Sequence, residues 1–266
     1  MHQKSSTVAL ALCAALILAA CSGAKTPTAA TPAPQASAPA TPAKSKSEDS
    51  EPRIDTEVAL ERLAQMPAQD RLPGGRWQAG KNYTVLVPAQ PTNVGPGKIE
   101  VIEVFWYGCP HCYELDPYLE SWRKNKPANV EFVRLPVTWS GGHKAHARLF
   151  YTLQALKRED LHTKVLDTIH RQHNMLALND EKASLDGQVE WAKQNGIDPK
   201  QFADAWNSMW VSTKVRQADE LIRRYQIEGV PHMIVNGKYS FDVGSAGGHT
   251  QTLALINDLA AAEQRR

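Results

Sequence analysis

Residues 101–107, Val-Ile-Glu-Val-Phe-Trp-Tyr, run straight into Gly108 and the tetrad Cys109-Pro110-His111-Cys112, and residues 113–123 then read as helix. The run is too apolar for a sheet with one wet face, so it is a central strand. The segment is therefore a strand, a tight turn and two thiols at a helix N-terminus. The first turn of a helix carries unpaired N–H groups and the positive end of the helix dipole, and both stabilise a thiolate. A thiolate is the species that attacks disulfides and leaves from them. The pattern points to thiol–disulfide exchange.

A Cys-x-x-Cys pair has plainer readings: a structural disulfide, half of a zinc site, or a haem attachment site. Haem attachment needs His directly after the second Cys, and Tyr113 stands there. A structural zinc site needs four ligands. The chain has four cysteines, and the other two, Cys13 and Cys21, lie in the N-terminal targeting region. His143 and His146 could meet on one helix face, but a pair at that spacing is more often plain surface, so no metal is expected. Thirty Lys and Arg against 28 Asp and Glu give a net charge of +2, with no basic stripe that would suit nucleic acid.

The N-terminus has the form of an export signal. Lys4 opens it, and the apolar run 8–20 is too short for a comfortable membrane span. It ends in Leu18-Ala19-Ala20-Cys21, which resembles a bacterial lipobox. That resemblance implies a lipoprotein signal peptide over 1–20, with Cys21 lipidated as the mature N-terminus; the alternative is ordinary cleavage near Ala20 with Cys21 a spare thiol. Residues 21–53 are rich in Ala, Pro and Thr and nearly devoid of large apolar side chains, so they cannot bury enough surface to offset their ordering entropy. They are expected to be a flexible tether. A domain on such a leash would work in the bacterial cell envelope, an oxidising compartment.

The folded part is expected over 54–266. Strands are expected at 83–87, 99–107 and 130–135, with a helix over 109–124 between the last two, and this order implies parallel pairing through a right-handed crossover. From about 145 to 208 the apolar spacing turns helical: Leu149, Leu153 and Leu156, then Val165, Leu166 and Ile169, then Phe202, Trp206 and Met209 after a break at Gly196-Ile197-Asp198-Pro199. A helix over 211–225 follows. Residues 233–241 read as a hairpin around a two-residue Asn236-Gly237 turn, and 249–262 as a final helix.

The tetrad, the Gly229-Val230-Pro231 turn and the Val235-Asn236-Gly237-Lys238-Tyr239 hairpin resemble the thioredoxin superfamily, and within it the DsbA family of thiol oxidases. The likeness spans about 83–262. It implies an α/β thioredoxin fold with an inserted helical domain at about 141–209. It further implies that Cys109 is the exposed nucleophile and Cys112 its buried resolving partner. Pro110 suits the first helical position, where its missing N–H is not needed. His111 would sit beside Cys109 as hydrogen-bond donor or positive charge. Pro231 would be cis and face the cysteines, with Val230 offering its backbone to an incoming peptide strand. Glu103 would lie buried under the site, its pKa raised, and couple to proton transfer. One departure stands out: Arg134 occupies the place where the family often has lysine, and a guanidinium does not deprotonate. That argues against a two-residue proton relay.

The Pro-His pair resembles the oxidising class rather than the Gly-Pro pair of thioredoxins. For DsbA itself the potential is near −120 mV against about −270 mV for thioredoxin, a gap of about 7 kcal/mol. Its thiolate pKa of about 3.5 against about 8.5 for free Cys is a shift of similar size. The resemblance thus implies an enzyme that donates the Cys109–Cys112 disulfide to unfolded exported proteins with Cys pairs. It would need no cofactor beyond that pair, be reoxidised by a membrane quinone-linked partner of the DsbB type, and act as a periplasmic monomer held by a lipid anchor. The rivals are a tethered reductase, an isomerase, which would need a dimerisation domain where 22–53 is low-complexity, and a metal-binding or chaperone-like lipoprotein with idle thiols.

Overall fold

The computed structural model describes Leu72 and residues 75–265 apart from Asn179. The signal segment, Cys21 and the tether lie outside the described residues. A five-stranded sheet carries the fold: β1 (Thr84–Val85), β2 (Ile99–Phe105), β3 (Val130–Pro136), β4 (His232–Val235) and β5 (Tyr239–Asp242), in the order β1-β5-β4-β2-β3. The helices are α1 (Pro110–Asn125), α2 (Gly141–Ala155), α3 (His162–His170), α4 (Glu181–Gln194), α5 (Pro199–Trp206), α6 (Met209–Arg224), α7 (Val243–Ala246) and α8 (His249–Gln264). As the strand–helix–strand order requires, β2 and β3 pair in parallel, from Ile99 opposite Val130 to Phe105 opposite Pro136. Helices α2 to α5 are inserted between β3 and α6. This is a thioredoxin fold carrying a helical insertion.

All seven residues of β2 are buried, because both faces of the strand are covered. Alternate side chains enter different cores. Ile99 and Val101 pack with Leu115 and Leu119 of α1 and with Leu255, Ile256 and Leu259 of α8. Ile102 and Val104 pack against the insertion, through Leu149, Leu153, Val165, Leu166, Phe202 and Trp206. Each such aliphatic side chain stabilises the fold by roughly 1.5–3 kcal/mol on full burial. Helix starts are set locally. Asp180 caps α4, Asp198 caps α5 with Pro199 following, and Ser208 caps α6, each accepting from a backbone N–H of the first turn.

Three departures from the sequence reading have a local cause. The strand expected over 83–87 is only Thr84–Val85, because the chain leaves the sheet edge at Val87-Pro88, where proline offers no N–H. The central strand ends at Phe105, and Trp106 and Tyr107 instead build the turn before the tetrad, with Cys109 N donating to Trp106 O at 3.0 Å. The β4–β5 register puts Val235 opposite Tyr239, so three residues rather than two lie between the paired ends. Asn236 and Gly237 still take φ of +53° and +63°, the signs that a type I′ turn demands. The turn is tied elsewhere: Asn236 N donates to Glu100 O and Gln90 N to Gly237 O.

Candidate active site

The tetrad sits where β2 delivers the chain to α1. Gly108 is dictated by packing, since a Cβ there would lie 2.4 Å from the Trp106 indole. Cys109 is the N-cap, in extended conformation, and Pro110 opens the helix. Both cysteines are free thiols in this structure. Cys109 is 7% exposed and Cys112 1%. Cys109 is thus less open than the sequence reading has it. Its cover is the Val230–Pro231 segment, whose peptide bond is cis and whose Val230 carbonyl lies 3.5 Å from Cys109 Sγ. As a thiol Cys109 donates to that carbonyl. His111 and Pro110 are exposed. His111 borders a groove of about 600 Å³ with Glu228, Val230, Pro231, His232, Asp242 and His249.

The two thiols are driven apart in acidity. Cys109 is pulled down from 9.0 to about 6, first by the hydrogen bond from the Cys112 thiol and, against burial, by the backbone N–H groups of Cys112 and His111 and the His111 charge. Burial pushes Cys112 far up, and the negative charges of Cys109 and Glu103 add to it. One sulfur is therefore poised as nucleophile and leaving group, and the other keeps its proton.

Beneath them lies a buried polar network. Glu103 is 2% exposed, and its carboxylate meets Arg134 Nε at 2.9 Å. Burial pushes Glu103 up to about 7, offset in part by the Arg134 charge. Register places these two residues directly opposite on β2 and β3. Arg134 is not a simple partner of Glu103: its Nη2 also donates to Asp116 Oδ1 and Glu120 Oε1 of α1, each at 2.9 Å. Asp116 accepts from Thr163 at 3.0 Å and meets His162 Nε2 at 3.3 Å, while His162 Nδ1 lies 3.0 Å from the Tyr107 hydroxyl. Burial and the Arg134 charge hold His162 down to about 4, so it is neutral. Burial pushes the Tyr107 hydroxyl far up, so it keeps its proton. The one consistent assignment has Tyr107 O–H donating to Nδ1 and His162 Nε2–H donating to Asp116. Against burial, the His162, Arg134 and Thr163 contacts keep Asp116 below its usual range.

The structure therefore brings Cys109, Cys112, Val230 and Pro231 together, with Glu103 one layer below and His111 at the rim. Sequence reasoning missed Asp116, Glu120, Tyr107 and His162. Asp116 is four residues after Cys112, on the same helix face, which is a usable signal. His162 has none, being 55 residues from Tyr107. His143 and His146 share α2 and lie near Trp106, their rings tilted to the indole with centroids 4.4 and 5.9 Å away. Among the described residues no three His, Cys, Asp or Glu stand as a metal-binding group.

Fold and site together define a thioredoxin-fold protein built around a redox-active cysteine pair. The family model for the DSBA-like thioredoxin domain matches residues 134–253. The thiol:disulfide interchange protein DsbA of Pseudomonas aeruginosa is 41% identical over 189 residues, covering 71% of this chain and 86% of that protein. The same-named protein of Azotobacter vinelandii is 41% identical over 186 residues, covering 70% and 84%. Among solved structures, Pseudomonas aeruginosa DsbA superposes with a TM-score of 0.67 at 39% identity, covering 72% of this chain and 97% of that one. The oxidoreductase DsbA of Xylella fastidiosa gives 0.66 at 25% identity, covering 71% and 99%. The chain belongs to the DsbA family and is a protein thiol:disulfide oxidoreductase. Members of that family work through a cysteine pair and need no further cofactor.

Proposed function

We propose that this enzyme donates its Cys109–Cys112 disulfide to unfolded exported proteins in the periplasm. The observation that carries the reading is the placement of the two thiols, Cys109 at the start of α1 against the Val230 carbonyl and Cys112 one turn in and buried, which draws Cys109 down to about 6 and pushes Cys112 far up. A client thiolate attacks Cys109 Sγ, the Cys109–Cys112 bond breaks, and Cys112 leaves and takes a proton. The second client thiolate attacks the client sulfur of the mixed disulfide and expels Cys109 as a stabilised thiolate. The client loses two electrons and the enzyme pair gains them.

In this reading Pro110 starts the helix on which the thiols sit, and His111 stabilises the thiolate. Val230 and Pro231 line the approach of the client backbone beside Cys109, and the groove that His111 borders receives the neighbouring client residues. Glu103 gives Cys112 its proton; it is poised for this because burial brings it to about 7. A membrane quinone-linked partner of the DsbB type would restore the disulfide, and the enzyme would act as a monomer.

Residues 1–20 are read as a lipoprotein signal peptide and 21–53 as the tether to a lipidated Cys21, supported by the Leu18-Ala19-Ala20-Cys21 pattern. Among the described residues no helix is long and apolar enough to cross a membrane. Cys21→Ser should abolish acyl labelling and release the protein from membranes; an unmutated protein that is wholly soluble refutes the anchor.

The deciding measurement for donation is the equilibrium reduction potential of the pair in glutathione buffers. A Cys109 value near 6 lies between the thiolate values of thioredoxin and DsbA, about 7 and about 3.5. The potential is therefore expected between about −270 and −120 mV. A value at or below the thioredoxin end makes the protein a reductase.

A further inference from the structure

We propose that His162, carried by the inserted helix α3, is a positioning residue of the thiol chemistry: it holds Asp116 so that the Arg134 guanidinium stays divided among three carboxylates. The inference rests on the reading of Glu103 as the proton donor to Cys112 and adds what sets the pH at which that donor works.

The geometry is closed on every side. Among the described residues Asp116 has three donors, from two elements: Arg134 on β3, Thr163 on α3 at 3.0 Å and His162 on α3 at 3.3 Å. His162 is itself oriented by the Tyr107 hydroxyl at 3.0 Å, in the turn that precedes Cys109. Its ring is also fixed by the edges of Phe105 and Phe150, with centroids 5.3 and 6.3 Å away. Arg134 binds Glu103 through Nε and uses Nη2 for both Asp116 and Glu120. The charged and titratable groups acting on Glu103 are Arg134 from β3, Asp116 and Glu120 from α1, and the nearby Cys112 and Tyr107. Met233, opposite Glu103 on β4, carries no charge. A cavity of about 180 Å³ is bordered by Tyr107, Arg134 and His162.

Arg134 is shared among three carboxylates, of which Glu120 also pairs with Arg123 at 2.7 Å, so Arg134 does not hold all three ionised equally. Asp116 has extra donors from α3; among the described residues the hydrogen-bond donor to Glu103 is Arg134. That imbalance leaves Glu103 able to exchange a proton near neutral pH, at about 7. Two perturbations then act in opposite directions. Without the His162 donor, Asp116 remains charged and draws Arg134 toward itself, so Glu103 loses stabilisation of its carboxylate and titrates higher. Without the Asp116 charge, Arg134 turns to Glu103 and a like-charge repulsion disappears, so Glu103 titrates lower.

The test is the Glu103 midpoint from ¹³C NMR of side-chain carboxyl carbons in the reduced protein, alongside the pH profile of dithiol-peptide oxidation. Glu103→Gln assigns the resonance. The midpoint should move up by about one unit in His162→Phe and down by about one unit in Asp116→Asn. His162→Gln, which can still donate to Asp116 and accept from Tyr107, should restore it. His162→Leu repeats the first arm where the larger ring does not fit. A midpoint unmoved in the Phe and Leu variants, or moved in the same direction as in Asp116→Asn, overturns the proposal. A neutral-pH inflection that survives in Glu103→Gln overturns instead the reading of Glu103 as proton donor.

Discussion

Cys109 and Cys112 have the same side chain and opposite acidities, and the difference comes from position alone. Cys109 is at the helix start, where N–H groups and the Cys112 thiol point at it; Cys112 is one turn in, 1% exposed, with like charges near it. Thiolate absorbance of the reduced protein should therefore titrate with a midpoint near 6. His111→Ala removes one of the contributions that lower it and should move the midpoint upward by about half a unit or more. A wild-type midpoint near 8 contradicts the site as described. At this scale much was legible in the sequence, because the groups that act on Cys109 are its immediate neighbours. What was not legible is its cover by Val230, 121 residues away.

The β4–β5 hairpin shows how an element is specified both by its own residues and by what it touches. Asn236-Gly237 marked the turn, and both residues adopt the positive φ that turn needs. Gly237 carries a second demand: a Cβ there would lie 2.1 Å from the Gln90 carbonyl oxygen. Gly237→Ala must strain φ and displace backbone, so it should destabilise the protein by about 2 kcal/mol or more, above the roughly 1 kcal/mol of a simple Gly-to-Ala conflict at positive φ. Urea denaturation checks it, and a loss under about 0.5 kcal/mol means that the loop at Gln90 yields freely. The caps Asp180, Asp198 and Ser208 depend on local residue type, since a cap is made within one helical turn. The three-residue spacing at the hairpin was not, because it depends on bonds from Gln90 and to Glu100.

For the whole molecule, the depressed Cys109 pKa makes stability depend on redox state and pH together. A group whose folded pKa is lowered stabilises the fold above its unfolded value and loses that contribution as pH falls through the folded one. With about 6 folded against 9.0 unfolded, the reduced protein gains about 1 kcal/mol at pH 7 and roughly 3 at pH 8, and little below pH 6. The raised Cys112 acts oppositely, and only above about pH 9, where the unfolded thiol ionises. Glu103, raised to about 7, stabilises below its unfolded value of 4.5 and loses this as pH rises to 7. The short Cys109–Cys112 loop contributes about 2 kcal/mol to the oxidised form by chain entropy. The reduced form should thus overtake the oxidised one between about pH 7 and 8. Urea unfolding of both forms from pH 6 to 9 measures it, and a difference that stays flat with pH rules it out.

The sequence by itself determined the strand, the turn, the two thiols at a helix N-terminus, a helical block after β3 and the parallel pairing of β2 with β3. These follow from apolar spacing and from chemistry within a few residues of chain. Only the tertiary structure decided that Arg134 is shared by Glu103, Asp116 and Glu120, that His162 reaches Tyr107 and Asp116, and that Val230 covers Cys109. Periodicity tells which face of an element is buried, not which other element covers it. A buried polar contact between segments distant in the chain is set only when those faces meet.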